Sequence, residues 1–439
     1  MRGPLRAEDA LFLHAQTPLA CQQVGAVVLL EAARPGAPGA GGPGFDGTEF
    51  RAVLAERLRA VPELRRRLER PRSRWRRPRW AGDEDIAAGE RIREVTVGQA
   101  GTPGAFSGVV DAFFTEQCDP YRRPWEIRLV HGRPDGRTAL LVKVHHTLGD
   151  SRVIIAALAR LFDDTRPPRG DGGPQLPRAW GGSAPPRTRL AAGARALRGL
   201  GHLARAGAAP ASSLCGPFTT DRRQYVPVAL PARDIARTAR ALHASITRLL
   251  VASVTEALGH LLTARGEQTA GRVLRIAVPR AWPAAGRRGR SPGNRSAALT
   301  LDVPVGPSSP AERLAAVRDQ AGLHLRRGEP DGAALVLRAM NLLPPPVQRR
   351  AAAAVYQRRW FNVLVSVFPG DRRRLLGLPV GEVYPVLPLA DGVGLAIGAM
   401  TWEQSLSVGI LADAALVPDA DKLAAELAGT VRNYCRITT

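Results

Sequence analysis

The chain has 439 residues, 45% of them hydrophobic, and a formal net charge of +23. That length exceeds the usual single core and predicts two units of roughly 200 residues each, while the lack of any run of about 18 uninterrupted apolar residues argues against a transmembrane helix. Only Lys143 and Lys422 are lysines among 62 basic residues, so the excess charge is arginine from an Ala-, Gly- and Pro-rich composition, which weakens the nucleic-acid reading that such a charge invites.

In chain order, the opening "MRGPLRAEDALFLHAQTP" lacks the apolar core and cleavage signal of a secretion leader. Cys21, Cys118, Cys215 and Cys435 stand singly, which fits a reducing, cytoplasmic setting. "AEDALFLHA" reads as a short helix and "QQVGAVVLLEA" as a strand, with "RPGAPGAGGPG" after it as a loop. "GTEFRAVLAERLRAV" places Phe50, Val53, Leu54, Leu58 and Val61 at helical spacing. "WEIRLVHG" and "TALLVKVHH" flank the turn signal "GRPDGR" and predict a hairpin.

From Asp164 to about Cys215 the composition shifts to Pro, Gly and Arg, predicting a mobile linker, with a basic helix in "RLAAGARALRGLGHLARAGAA". A second half follows. Its predicted helices are "RDIARTARALHA", "ITRLLVASVTEALGHLLTARG" and "DADKLAAELAGTVRNYCR". Its predicted strands are "VLRIAVPRAW", "SAALTLDVPVG", "FNVLVSVFPG" and "LSVGILAD". The expected organisation is therefore 1–163, a linker 164–215, and 216–439, in an α/β or α+β class.

The informative stretch is "HHTLGD", His145 to Asp150, at the end of the apolar run "ALLVKV". If the strand continued through both histidines they would face opposite ways and could not share a metal; no further ligand lies at zinc spacing. Asp150 has an ordinary role as helix N-cap, worth about 1 kcal/mol. A histidine with a pKa near ~6.5 can also be neutral at pH 7 and accept a proton, with an aspartate fixing its ring. No GxSxG elbow is present, so such a base would act on a substrate alcohol or amine attacking a thioester.

"HHTLGD" resembles the HHxxxDG motif of coenzyme-A-dependent acyltransferases and peptide-synthetase condensation domains. Further segments resemble, in order, the bacterial wax ester synthase/diacylglycerol acyltransferase family: "AEDALFLHAQTPLACQQVGAVVLLE", "DPYRRPWE", "SPGNRSAALTLDVPVG", "FNVLVSVFPG" and "EVYPVLPLADGVGLAI". The resemblance implies two chloramphenicol-acetyltransferase-like halves joined by a crossover linker, with a substrate tunnel between them. It implies acyl-CoA as substrate, no cofactor or metal, and a diacylglycerol or long-chain alcohol as acceptor. His146 would be the general base, His145 its motif neighbour, and Asp150 structural, held by Arg280 or Arg295. Ser151, Thr247 and Asn294 would line the substrate site.

Three sites, five residues in all, depart from the family pattern. Ser151 replaces glycine, Thr247-Arg248 replaces Asn-Asp, and Val367-Phe368 replaces Asn-Val. Thr247 also reads as a helix N-cap. These departures keep two alternatives open: a condensation-type enzyme with another acceptor, and a catalytically weak lipid- or membrane-binding paralogue. "RRRLERPRSRWRRPRW", Arg65 to Trp80, reads either as a peripheral contact with an anionic bilayer or lipid body or as a solvated arginine face, ahead of nucleic acid.

Overall fold

The computed structural model describes residues 3–31, 47–82, 88–97, 104–133, 135–163, 189–281, 294, 296–370, 373–402 and 405–437. Two six-stranded sheets organise them. The first has the spatial order Arg374–Leu375, Leu378–Val386, Gln23–Leu30, Ala139–His145, Trp125–His131, Ile92–Thr96. The second runs Ser296–Pro304, Val273–Ala281, Val363–Pro369, Leu395–Trp402, Ser405–Asp413, Arg223–Pro231. Strands and helices alternate through both halves, so the architecture is mixed α/β, and the predicted hairpin forms with Trp125 opposite Val144.

The first sheet is not built from the first half alone. Strand Leu378–Val386 pairs antiparallel with Gln23–Leu30, placing Tyr384 opposite Val27. Glycines let this borrowed strand press on the second sheet: a Cβ on Gly409 would lie 2.1 Å from the Pro385 carbonyl oxygen, and one on Gly398 would lie 3.0 Å from Pro385 Cβ. One apolar core accordingly continues from the first sheet through Tyr384 and Val386 to Phe361, Leu364, Phe368 and Met400 of the second half. A second core lies between the second sheet and helices Ile246–Ala264 and Ala420–Ile437.

The basic helix expected within the linker is present and packed. Helix Arg189–Arg205 packs against helix Glu329–Ala339 through glycine contacts so close that a Cβ on Gly199 would overlap the Gly328 carbonyl. Arg195 fastens the pair with a 2.8 Å bond to Asp331. Residues 164–188 lie outside the described residues.

The sequence around Lys143 shows how a charged residue enters the first sheet. Glu126 stands opposite Lys143 in the hairpin register, and their side chains meet at 3.2 Å. Lys143 also donates to the Phe113 and Glu116 carbonyls at 2.9 and 3.0 Å. A buried ammonium is tolerable only with such a full set of acceptors.

Candidate active site

The motif strand ends between the two histidines. Strand Ala139–His145 stops at His145, and His146–Leu148 is a single 3-10 turn. The strand therefore does not run through both histidines, and the condition set from sequence does not arise.

His145 is fully buried. Its Nδ1 accepts the Thr147 backbone N–H at 3.2 Å and lies 2.9 Å from the Thr147 hydroxyl. Its Nε2 meets Gln16 Oε1 at 2.5 Å. An amide oxygen only accepts, so His145 is neutral with its proton on Nε2. Burial, then the neighbouring His146, pushes its pKa down to about 3. This histidine braces the turn.

His146 retains some exposure. Its ring stacks on Phe12 with centroids 3.7 Å apart and planes 11° apart. Its Nδ1 is shut from solvent with no hydrogen-bond partner, so Nε2 is the nitrogen left for a substrate. Burial lowers the pKa to about 4, against the opposing pull of its own carbonyl, Asp150 and Asn294. The ring is therefore neutral at pH 7 and able to accept a proton.

Phe12 belongs to helix Ala7–Ala15, which packs on helix Pro345–Val355, and its ring meets Tyr356 edge-on at 5.7 Å. Tyr356 in turn lies 5.9 Å from Phe361. His146 thus sits against an aromatic wall drawn from both halves.

Asp150 caps helix Ser151–Leu158, its Oδ1 accepting Arg152 and Val153 N–H groups at 3.1 Å each. Ser151 is the first residue of that helix. Arg280 stands opposite Ala297 in the second sheet, and Arg295 lies outside the described residues.

Asn294 comes to the motif from the far end of the chain. Its Nδ2 donates to the His146 carbonyl at 2.9 Å and to Asp9 Oδ1 at 2.8 Å. Its backbone N–H reaches the same Asp9 oxygen at 2.7 Å. Its Oδ1 is buried with no partner.

Thr247 is buried in the first turn of helix Ile246–Ala264, but it is not the cap. Ser245 is, accepting the Arg248 N–H at 3.3 Å; the helix begins two residues earlier than a cap at Thr247 requires. No hydrogen bond in the structure joins Thr247 to His146. Phe368 and Ser366 lie buried on strand Val363–Pro369.

Asp9, Phe12, Gln16 and Arg66 were not singled out in the sequence, and only the fold brings them to the turn. Arg66 Nη2 donates to the Leu148 carbonyl, and its guanidinium lies 4.3 Å over Trp80. The basic stretch is thus partly structural: Arg70 stacks on Tyr121 at 4.4 Å and Arg77 donates to the Asn341 carbonyl. Among the described residues no group of three or more His, Cys, Asp or Glu could hold a metal.

The family model described as the wax ester synthase/diacylglycerol acyltransferase catalytic domain matches residues 5–278, and that of the WS/DGAT C-terminal domain matches residues 292–433. A probable diacylglycerol O-acyltransferase of Mycobacterium tuberculosis is 26% identical over 418 residues, covering 90% of each chain. The solved wax ester synthase/diacylglycerol acyltransferase of Marinobacter aquaeolei superposes with a TM-score of 0.68 at 19% identity, covering 99% of both chains. The first condensation domain of the CDA synthetase has the same fold, with a TM-score of 0.62 at 18% identity over 98% of this chain and 96% of that one.

Proposed function

The chain belongs to the wax ester synthase/diacylglycerol acyltransferase family, and from that premise we propose that it moves a fatty acyl group from acyl-CoA to the hydroxyl of a diacylglycerol or a long-chain alcohol, with His146 as general base. The observation that carries the reading is the partly exposed His146 ring, stacked on Phe12, with its pKa lowered to about 4 and its Nδ1 buried without a partner.

His146 Nε2 takes the proton of the acceptor hydroxyl as its oxygen bonds to the thioester carbon. The tetrahedral oxyanion collapses, the C–S bond breaks, and the imidazolium returns its proton to the departing CoA thiolate. No acyl-enzyme forms, and the reaction uses no resident cofactor. His145 holds the turn and Asp150 caps the helix that follows it. Asn294 Oδ1, buried and unpartnered, offers an acceptor to a substrate donor. Ser151 narrows the acyl path where the family has glycine. Thr247 supplies a hydroxyl in place of the family's asparagine. Donors facing the oxyanion would supply much of the rate.

Palmitoyl-CoA offered separately with diacylglycerol and with hexadecanol tests the assignment, with products read by mass spectrometry. Triacylglycerol or palmityl palmitate is the expected product; free CoA with neither ester refutes the acceptor class.

Substrates of this kind reside in membranes, and we propose a peripheral contact through the exposed part of the arginine stretch. Trp75 is 59% exposed and Leu342 is 86% exposed, and Arg77 ties their segments together through Asn341. Exposed Arg72, Arg74 and Arg76 surround Trp75. A bilayer contact worth about 1 kcal/mol per basic residue suits them. No helix of the described residues is long and apolar enough to cross a membrane. Co-sedimentation with phosphatidylglycerol vesicles but not phosphatidylcholine vesicles is expected, weakened by Trp75→Ala; equal sedimentation with neither lipid contradicts the contact.

A further inference from the structure

We propose that Asp9 is a positioning residue for the transfer step, holding the His146–Leu148 turn through Asn294 and Arg66. The inference rests on His146 being the base.

Asp9 is only 4% exposed, and a buried carboxylate is costly unless it is paired and hydrogen-bonded. Among the described residues Asn294 donates to it twice, at 2.7 Å from the backbone N–H and 2.8 Å from Nδ2. The second Nδ2 hydrogen goes to the His146 carbonyl at 2.9 Å. Two acceptors on one amide nitrogen fix which way the side chain points. Oδ1 is left buried and without a hydrogen-bond partner.

The Leu148 carbonyl, at the end of the turn, accepts from Arg66. The charge of Arg66 also acts on Asp9, opposing the burial that raises the Asp9 pKa to about 6. Within the turn the His146 carbonyl accepts only a long bond, from the Gly149 N–H at 3.4 Å. Side chains from two distant segments reinforce the turn, Asn294 bonded to Asp9 and Arg66 facing it by charge. Asp9 and Phe12 are three residues apart on helix Ala7–Ala15 and so share a face. That face grips His146 twice, by its carbonyl through Asn294 and by its ring through Phe12.

A turn held this way sets where Nε2 lies, and misplacement of a reacting group by about 1 Å can cost roughly 100-fold in rate. The test measures kcat, KM for palmitoyl-CoA and Tm for Asp9→Ala, Asp9→Asn, Asn294→Ala and the Asp9→Ala/Asn294→Ala pair, beside His146→Ala. Asp9→Ala and Asn294→Ala are each expected to lower kcat about 10- to 100-fold with KM within about two-fold. The pair is expected to be no worse than about two-fold below the poorer single variant, because both act through one connection. Asp9→Asn keeps an acceptor at Oδ1 and is expected to recover most of the rate.

Losses that multiply in the pair, a loss carried by KM alone, or Asp9→Asn as poor as Asp9→Ala overturn the proposal. Asn294→Ala at the unaltered kcat overturns it even if Asp9→Ala does not fold. Turnover kept in His146→Ala refutes the base and this inference together. Turnover lost there but kept in Asn294→Ala refutes this inference alone.

Discussion

His145 and His146 are adjacent and identical in type, yet their surroundings give them opposite tasks. His145 sits at the strand's end with both nitrogens engaged, so His145→Ala should cost about 1–3 kcal/mol of stability by orphaning buried partners, read as a lowered urea midpoint. His146 has a pKa depressed to about 4 by burial. In the proposed role of general base its neutral form is the active one, so activity is present above that pKa and is lost as pH falls through it. The acid limb of kcat/KM should therefore lie nearer pH 4 than the ~6.5 of a free histidine; a limb centred at 6.5 would contradict the buried setting. The motif and its two histidines were legible in sequence because their spacing is local. Asp9 was not, because its partner Asn294 is 285 positions away and only a formed fold joins them.

At the scale of elements, helix and strand periodicity carried well where one face is buried. "AEDALFLHA" is helix Ala7–Ala15, and the Trp125–His131/Ala139–His145 hairpin forms as its turn signal suggests. The pairing of Leu378–Val386 with Gln23–Leu30 was not legible, since nothing local in a strand names its partner in another half of the chain. Its seat on the second sheet depends on Gly409, where an added Cβ would meet the Pro385 carbonyl oxygen at 2.1 Å. Gly409→Ala should therefore cost at least about 1–3 kcal/mol through overpacking, seen as a lower Tm, whereas Gly108→Ala, inside helix Ala105–Thr115 with open space around it, should cost less. Equal Tm values for the two would contradict the close approach. Helix Arg189–Arg205 teaches the converse: its glycines read as linker composition but serve as contact surfaces against Gly328 and Gly332.

At the scale of the molecule, the two halves expected from length exist, but the first cannot close its sheet or its site without the second. Strand Leu378–Val386 completes the sheet, and Asn294 completes the motif. A fragment 1–163 made alone should therefore lack cooperative unfolding, as followed by circular dichroism, and co-expression with 164–439 should restore it. A fragment 1–163 that unfolds cooperatively would contradict the shared architecture. The central claim is that this shared site transfers acyl groups with His146 as its base. The most direct test follows CoA release and ester formation from palmitoyl-CoA and diacylglycerol, for the unaltered enzyme and for His146→Ala of matching Tm. CoA and triacylglycerol should form in equal amounts, and the substitution should slow both about 100- to 10,000-fold. A folded His146→Ala enzyme that still makes triacylglycerol at the unaltered rate would contradict the account.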